Sequence, residues 1–383
     1  MLLIRGGKIH NAIDPEAFTA DILICDGKIR EIAENISCEG AEIYDASGMD
    51  VYPGFIDAHT HIGMFGYSAD SKDDVEEYDR CTPQHRGIDG INVLEDTFAK
   101  ALRGGVTCVC DGPGSVGCMA GTHLALKTYG HRIDDMVVKD PVAMKIALGG
   151  NPKRHTKDHV TTRMSLAATI RDALKKAKIY AQRKERAAGD PDKEPPYDPK
   201  MEALLPVIRK EIPLKAHVQR GDDIFTAIRI AKECDVLLTL EHAADAGLMV
   251  EDLAKEGYPI AAGPYGNQKT RWENAHQHPS TAVKLIEAGC SVSVMTDSPV
   301  MSEDYLPLAA GLLMREGLDA FRALQTITIN PARHLGIADR VGSLEVGKDA
   351  DIVVAKGCPM EITVKPEAVF INGVKVYSVT EEM

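Results

Sequence analysis

His59 and His61 stand two residues apart at the end of the run Val51-Tyr-Pro-Gly-Phe-Ile-Asp-Ala-His-Thr-His-Ile62. Side chains alternate along a strand, so the two rings share a face. Two neutral imidazoles on rigid backbone begin a site for Zn²⁺, Fe²⁺ or a similar borderline cation, and Asp57, on the same side, is placed to orient one ring. A bare His-x-His is as readily a surface pair. Here Pro53-Gly54 leads a short apolar run that carries the pair to a strand's C-terminal end, where barrel enzymes keep their chemistry.

Four more polar residues stand where apolar strands end or within them. Lys145 interrupts Pro-Val-Ala-Met-Lys-Ile-Ala-Leu, His217 closes Ile-Pro-Leu-Lys-Ala-His, His242 closes Val-Leu-Leu-Thr-Leu-Glu-His, and Asp297 closes Ser-Val-Ser-Val-Met-Thr-Asp. A charge inside a barrel strand is costly unless it is paired or bound to a metal. Each alone has a bland reading: a bonded core histidine, a snorkelling lysine, a turn-capping aspartate. Together they would converge on one mouth if the barrel closes.

The elements that must position them follow from the pattern. Short β runs with turn punctuation occupy the first fifty residues (Leu2-Leu-Ile-Arg, then Asp21-Ile-Leu-Ile-Cys closed by Asp26-Gly27), and the last forty repeat the style, with Asn372-Gly373 as a hairpin signal. Residues 1–50 and 341–383 are therefore expected to combine into one small β-sandwich. Between them, over 51–340, strands alternate with helices, as a parallel sheet requires. Seven barrel strands are expected at Asp50–Asp57, Val106–Cys110, Ala143–Leu148, Ile212–His217, Val236–Leu240, Pro259–Ala262 and Ser291–Thr296, with the third of eight between Met119 and Lys139. Leu166, Ile170, Leu174, Ala177 and Ala181 fall at helical spacing, with Arg171, Lys175, Lys176 and Lys178 opposite as a solvated face. The expected fold class is α/β: a (β/α)8 TIM barrel with the β-sandwich beside it.

Composition bounds the partners. The chain has 383 residues and a formal net charge of −13, with no basic stripe, which argues against nucleic acid or an anionic membrane as partner. Nine scattered cysteines, without paired spacing, fit a reducing cytosol better than a disulfide scaffold; Cys108-x-Cys110 lies in an apolar strand and reads as core. No run is long enough to span a bilayer. A cytoplasmic protein acting on a small molecule is expected, with assembly into a homo-oligomer left open.

With these residues in place the chain resembles the amidohydrolase superfamily, the metal-dependent hydrolases related to urease, dihydroorotase and imidazolonepropionase. The likeness covers nearly the whole chain. It is carried by Pro53-Gly-Phe-Ile-Asp-Ala-His-Thr-His61, by Thr328-Ile-Asn-Pro-Ala-Arg-His-Leu-Gly336 and by Gly342-Ser-Leu-Glu-Val-Gly-Lys-Asp-Ala-Asp-Ile-Val-Val354. The resemblance implies two divalent ions, zinc first among candidates. His59, His61 and Asp297 would hold one and His217 and His242 the other, and Lys145, carboxylated by CO₂, would bridge them as in prolidase-like and Xaa-Arg dipeptidase-like members. Without that carboxylation the site would hold one ion. Two divalent ions pull the pKa of a shared water from ~16 toward ~7, so no serine or cysteine nucleophile is needed, and Asp297 would shuttle the proton as general acid/base.

The implied reaction is hydrolysis of a C–N bond in a linear or cyclic amide, such as a dipeptide or N-acyl amino acid. The alternatives are an imidazolonepropionase-like cyclic amide hydrolase, a mononuclear deaminase, and a non-catalytic scaffold. Deaminase-type relatives place a glutamate shortly after the strand-five histidine, whereas His217 is followed by Val-Gln-Arg-Gly-Asp-Asp. Scaffold relatives typically lose ligands that this chain keeps. Arg220, Tyr265, Lys269 and Arg271 follow the fifth and seventh strands and are candidates to grip a substrate carboxylate; exposed loop basics are the plain alternative. His276-x-His278 copies the opening spacing in a polar loop without an apolar run, and reads as surface or substrate-loop histidine.

Overall fold

A computed structural model describes residues 1–66, 72–153, 161–266 and 271–380. Both termini contribute to one eight-stranded sheet. Its N-terminal strands are β1 (Leu2–Ile9), β2 (Phe18–Cys25), β3 (Lys28–Ala33), β4 (Glu42–Asp45) and β5 (Asp50–Pro53). The barrel strands follow: β6 (Phe55–Thr60), β7 (Val106–Asp111), β8 (Met119–Lys127), β9 (Val137–Ala147), β10 (Leu214–Val218), β11 (Leu238–His242), β12 (Ile260–Ala262) and β13 (Val292–Val294). The chain then returns to the terminal sheet through β14 (Ile352–Ala355), β15 (Pro366–Ile371) and β16 (Val374–Ser378).

The terminal sheet shows why alternation matters. Val51, Ile352, Val354 and Phe370 point into a core of the sheet's own, together with Ile4, Ile22 and Ile24, whereas Tyr52, Val353 and Val369 point the other way into the main core of the barrel. A period of two thus lets one strand serve two cores. The sheet also folds over on itself: Ala350 N–H bonds Gly27 O, and the β2–β3 turn at Gly27 rests on Asn372 of the β15–β16 turn.

The expected single strand Asp50–Asp57 is two strands. Asp50–Pro53 pairs with β1 and β14 in the terminal sheet, and the barrel begins at Phe55. Gly54 is the break: a Cβ there would lie 2.1 Å from Thr107 Oγ1.

The barrel runs β6 to β13 in chain order, but it is mixed rather than all parallel. The third strand lies where it was expected, and it runs antiparallel to both neighbours. Only 112–118 separate β7 from β8, too few residues for a crossover helix, which needs a dozen or more, so a hairpin replaces the βα unit. From β9 onward every pairing is parallel. Helices cover the outside; Arg163–Ala187 buries Leu166, Ile170, Leu174, Ala177 and Ala181, as its spacing requires. No helix among the described residues is long and apolar enough to cross a membrane.

Lys127, on β8, joins the two halves. Its ammonium is buried against Asp351 and lies 3.2 Å from Asp349, which also takes Lys28 at 2.7 Å and Arg340 at 2.8 Å. The aspartates of the closing Gly-Lys-Asp-Ala-Asp segment are therefore the anions that let a barrel strand carry a lysine inward. Burial alone would raise the Asp349 carboxyl; Lys127, Lys28 and Arg340 outweigh it and hold it below its ordinary value. A depressed carboxyl stabilises the fold above the unfolded value near ~3.9 and loses that contribution as pH falls through its native value. Lys127→Met should cost about 3–5 kcal/mol, because it leaves buried Asp351 without its cation and removes one of the three cations around Asp349. Urea unfolding of wild type and variant at neutral pH and near pH 3 checks this: the gap should narrow in acid, and an equal gap at both values would contradict the assignment.

Candidate metal centre

Barrel closure builds the site. Between β13 and β6 the ladder is open, and side chains and loop backbone span the gap. Asp57 Oδ2 accepts from Thr296 N–H at 2.8 Å and from the Thr296 hydroxyl at 2.7 Å, while Asp297 N–H reaches His59 O at 3.2 Å. Asp57 therefore does not orient a histidine ring, contrary to expectation. Its other oxygen takes the His59 backbone N–H at 3.0 Å, and its role is to lock the two edge strands together. This places Asp297 Oδ1 at 3.6 Å from His59 Nε2 and 3.5 Å from His61 Nε2, and the three donor groups lie within 4.8 Å of one another.

The other sequence-derived residues arrive at the same mouth. Lys145 is fully buried on β9 with Nζ 2.9 Å from His59 Nε2. The rings of His217 and His242 lie 4.3 Å apart, and His242 lies 5.4 Å from His59. Each of the three Nε2-presenting histidines is anchored through its other nitrogen: His61 Nδ1 to Gly112 O at 2.7 Å, His242 Nδ1 to Gly263 O at 3.1 Å, and His59 Nδ1 to Glu241 Oε2 at 3.2 Å. Such bonds fix the tautomer and leave Nε2 as the free lone pair. His242 Nε2 is buried without a partner. His217 is turned the other way, with Nε2 beside the Asn151 amide at 3.3 Å and Nδ1 buried without a partner. As placed, Asn151 Nδ2 donates to Nε2 and Asn151 Oδ1 is itself buried without a partner; the flipped amide, with Oδ1 accepting from Nε2–H, is the sense that frees the Nδ1 lone pair for an ion.

Electrostatics favour the ligand forms. Burial, aided by Lys145 and Lys215, pushes His59 well below its ordinary pKa, and burial with His242 and Lys145 does the same to His217. Burial also lowers His242. Neutral imidazoles are what a cation requires. Burial would raise Asp297, but His242, His61 and Lys145 outweigh it and keep the carboxylate ionised. Burial and the Lys215 charge push Lys145 down to about 8. Among the described residues Lys145 makes no ion pair. Buried donors with unused lone pairs, clustered around one uncompensated amine, are the donor set that divalent ions would satisfy.

Glu241 is the residue that sequence reasoning passed over. It accepts from Lys215 Nζ at 2.8 Å and Thr239 Oγ1 at 2.8 Å, and it contacts His334 Nε2 at 3.1 Å as well as His59. Lys215 also donates to Ala58 O at 2.8 Å. Burial would raise Glu241, but Lys215 and His334 hold it well below the usual carboxylate range. Strict alternation would put Glu241 and His242 on opposite faces, yet both reach His59. His242 has φ 70° and Ala243 φ 48°, so the strand leaves extended geometry there and turns both side chains inward. The only sequence signal was a lysine two residues before His217 and a glutamate before His242 in otherwise apolar strands. His123, on β8, is buried with its ring 5.7 Å from His59, and its Nε2 faces Pro113 O at 2.9 Å.

Beyond the metal donors lies a cavity of about 190 Å³, lined by Asn151, Gln219, Arg271, Glu273 and Gln277 as well as His217, His242 and Asp297. Of the four residues expected to grip substrate, Arg271 is there. Arg220 is not: it is stacked over the Trp272 ring at 4.1 Å and paired with Asp222 at 2.9 Å. Tyr265 is sunk in the main core, where its ring packs rather than faces solvent. Lys269 lies outside the described residues. His276 pairs with Asp245 at 2.7 Å and His278 caps the helix Pro279–Glu287, so this second His-x-His holds a loop and stays out of the centre. All nine cysteines are free, and Cys108 and Cys110 are core.

The arrangement matches known proteins. The pattern of the amidohydrolase family fits residues 51–379. The crystal structure of an amidohydrolase from Thermotoga maritima MSB8 superposes with a TM-score of 0.93 at 37% identity, covering 99% of this chain and 100% of that one. Amidohydrolase tasK of Hapsidospora irregularis is 29% identical across 92% of this chain, which spans 39% of that relative's length. A dihydroorotase of Pelotomaculum thermopropionicum is 25% identical across 92% of this chain and 88% of its own.

Glu241 should govern metal affinity through His59. Replacing the pair together, Lys215→Met with Glu241→Gln, removes both buried charges and so spares the fold, while metal affinity should fall about 10–100-fold. Titration with a competing chelator measures it; unchanged affinity in a folded double variant would assign the pair to packing alone.

Proposed function

The chain belongs to the amidohydrolase family, and on that footing we propose that it hydrolyses the C–N bond of a small amide, a dipeptide or N-acyl amino acid, at a two-ion zinc centre. One observation carries the reading: His59 Nε2, His61 Nε2 and Asp297 converge within 4.8 Å, beside partnerless buried nitrogens of His217 and His242, and Asp297, His217 and His242 line a cavity. His59, His61 and Asp297 would hold one ion and His217 and His242 the other. Bound there, divalent ions would polarise the amide carbonyl and acidify a water.

The chain's own residues supply the remainder. Asp297 is held at the cavity edge by its N–H bond to His59 O and faces the reacting centre. It takes a proton from the attacking water and delivers it to the leaving nitrogen, so that C–O forms, C–N breaks and no net proton is consumed within the site. His242 and Asp297 both adopt positive φ, at 70° and 51°, and such strained non-glycine backbone is tolerated where the surrounding structure enforces it for function. Lys145 supports a carbamate: among the described residues no carboxylate lies within 4.0 Å of it, burial favours its neutral amine, and that amine would add CO₂ with release of one proton to solvent, forming an N–C bond and an anion that would face the cationic centre. Arg271 lies at the cavity wall, where it can take a substrate carboxylate.

The purified protein should carry one to two transition-metal equivalents, and His59→Ala or Asp297→Asn should abolish hydrolysis while circular dichroism stays unchanged. Absence of metal after metal-supplemented expression would end the enzymatic reading. Lys145→Ala should lose the second ion and regain part of the activity with added short carboxylic acids. Mass or spectroscopic data showing a plain amine in the metal-loaded protein would instead leave a single-ion site.

A further inference from the structure

Glu273 is a carboxylate in the wrong place for a structural residue. It sits in the loop after β12, in the turn Trp272–Asn274, and is only 5% exposed, yet it lines the cavity of the metal centre. Its carboxylate rests on the backbone beyond β9: Oε2 accepts Gly150 N–H at 2.8 Å. Gly150 is glycine for this reason, since a Cβ there would lie 2.6 and 2.7 Å from the two oxygens. The loop that carries it is fixed at several points, with His276 on Asp245 at 2.7 Å, Gln277 Nε2 donating to Pro264 O at 2.8 Å, and Arg271 N–H bonded to Asn274 Oδ1 at 3.2 Å.

The charge on Glu273 is incompletely answered. Among the described residues, the one cation beside it is Arg271, with Nη1 3.7 Å from Oε1, outside hydrogen-bond reach. Among the described residues one backbone N–H, that of Gly150, donates to this buried carboxylate, which is weak compensation for its loss of water. Oε1 therefore has capacity for a donor brought in by a ligand. Arg271, more than half exposed, makes no guanidinium hydrogen bond among the described residues and so can offer donors to an anion. Among the described residues the cavity thus offers one anionic and one cationic group apart from Asp297, together with the neutral amides of Asn151, Gln219, Asn274 and Gln277.

We propose that Glu273 is a specificity-determining residue that accepts an ammonium group of the substrate, while Arg271 takes its carboxylate. This rests on the amide-hydrolase reading and narrows it: the substrate is a small zwitterionic amide, a dipeptide with a free amino end, in preference to an N-acyl amino acid. The match is electrostatic. An N-acylated amine cannot supply the positive charge, and it leaves Glu273 buried against a neutral group.

The test compares a panel of free dipeptides Xaa-Ala with their 2-hydroxyacyl-Ala isosteres, in which a hydroxyl replaces the ammonium, and with N-acetyl-Xaa-Ala, using zinc-loaded wild type and Glu273→Gln. Glutamine keeps the acceptor for Gly150 N–H and removes the charge. Wild type should favour the ammonium form about 10–100-fold in kcat/KM, chiefly through KM. In Glu273→Gln that preference should collapse to within about twofold, with the hydroxyacyl isosteres hardly changed. Calorimetric binding of L-alanine and of lactate to both proteins gives the same contrast without turnover. Three results would overturn the assignment. Wild type cleaving N-acetyl or hydroxyacyl amides as well as the free dipeptides would leave the amide-hydrolase reading standing and remove Glu273 from it. Glu273→Gln depressing all three series equally would make the residue a support for the loop at Gly150. No amide in the panel being cleaved by zinc-loaded wild type would end the hydrolase reading itself, and the substrate assignment with it.

Discussion

The meeting of the first and last barrel strands is the constraint on which the rest depends. Parallel strands joined by helices bring their C-terminal ends to one rim, but β6 and β13 are not laddered to each other, and the rim there is joined by isolated loop bonds, Asp297 N–H to His59 O at 3.2 Å and His61 N–H to Ser298 O at 2.9 Å. Asp57 supplies the missing order by accepting both the N–H and the hydroxyl of Thr296. A fully buried carboxylate in that role is pushed up to about 7 by desolvation despite its donors, so closure is bought with an expensive group. The return is positional: the next residue, Asp297, is delivered to His59 and His61 within 4 Å.

A second buried system acts from beneath. Glu241, Lys215, Thr239 and His334 form a bonded cluster inside the barrel, and its outermost contact is His59 Nδ1. Two charges in a dry interior persist because each is multiply bonded: Lys215 to Glu241 and Ala58 O, Glu241 to four partners. His334 enters from the helix Ile329–Leu335, which explains why the Asn-Pro-Ala-Arg-His segment, far from the mouth in sequence, belongs to the centre's support. Lys127 with Asp349 and Asp351 repeats the device at the seam between barrel and terminal sheet.

Much of this was legible in the order of residue types. Strand runs, the lysine and histidines in them or at their ends and the aspartate after the last strand could be read because a polar group inside an apolar strand demands a partner, and six such groups toward corresponding ends demand a common one. The direction of the third strand was not legible by periodicity, since hydrophobic alternation is the same for parallel and antiparallel strands; only the seven residues of 112–118 carried the answer. Tyr265 and Arg220 failed for a related reason. Position just beyond a strand says that a residue is near the rim, and not which way its side chain turns; Tyr265 packs into the core, and Trp272 with Asp222 holds Arg220 aside.

By itself the sequence determined the chemistry on offer: which groups are titratable, which can ligate, and which sit in strands too apolar to leave them unpaired. Those are local properties, set by residue type and a period of two. Tertiary structure decided pairing. Glu241 rather than Asp57 orients His59, because positive φ at His242 turns adjacent residues to one side and breaks the alternation that a sequence pattern assumes. Glu273 faces Gly150 across 123 positions of chain, a contact written in no local pattern, since the missing Cβ and the carboxylate that fills its place lie in different loops and meet only when the barrel closes.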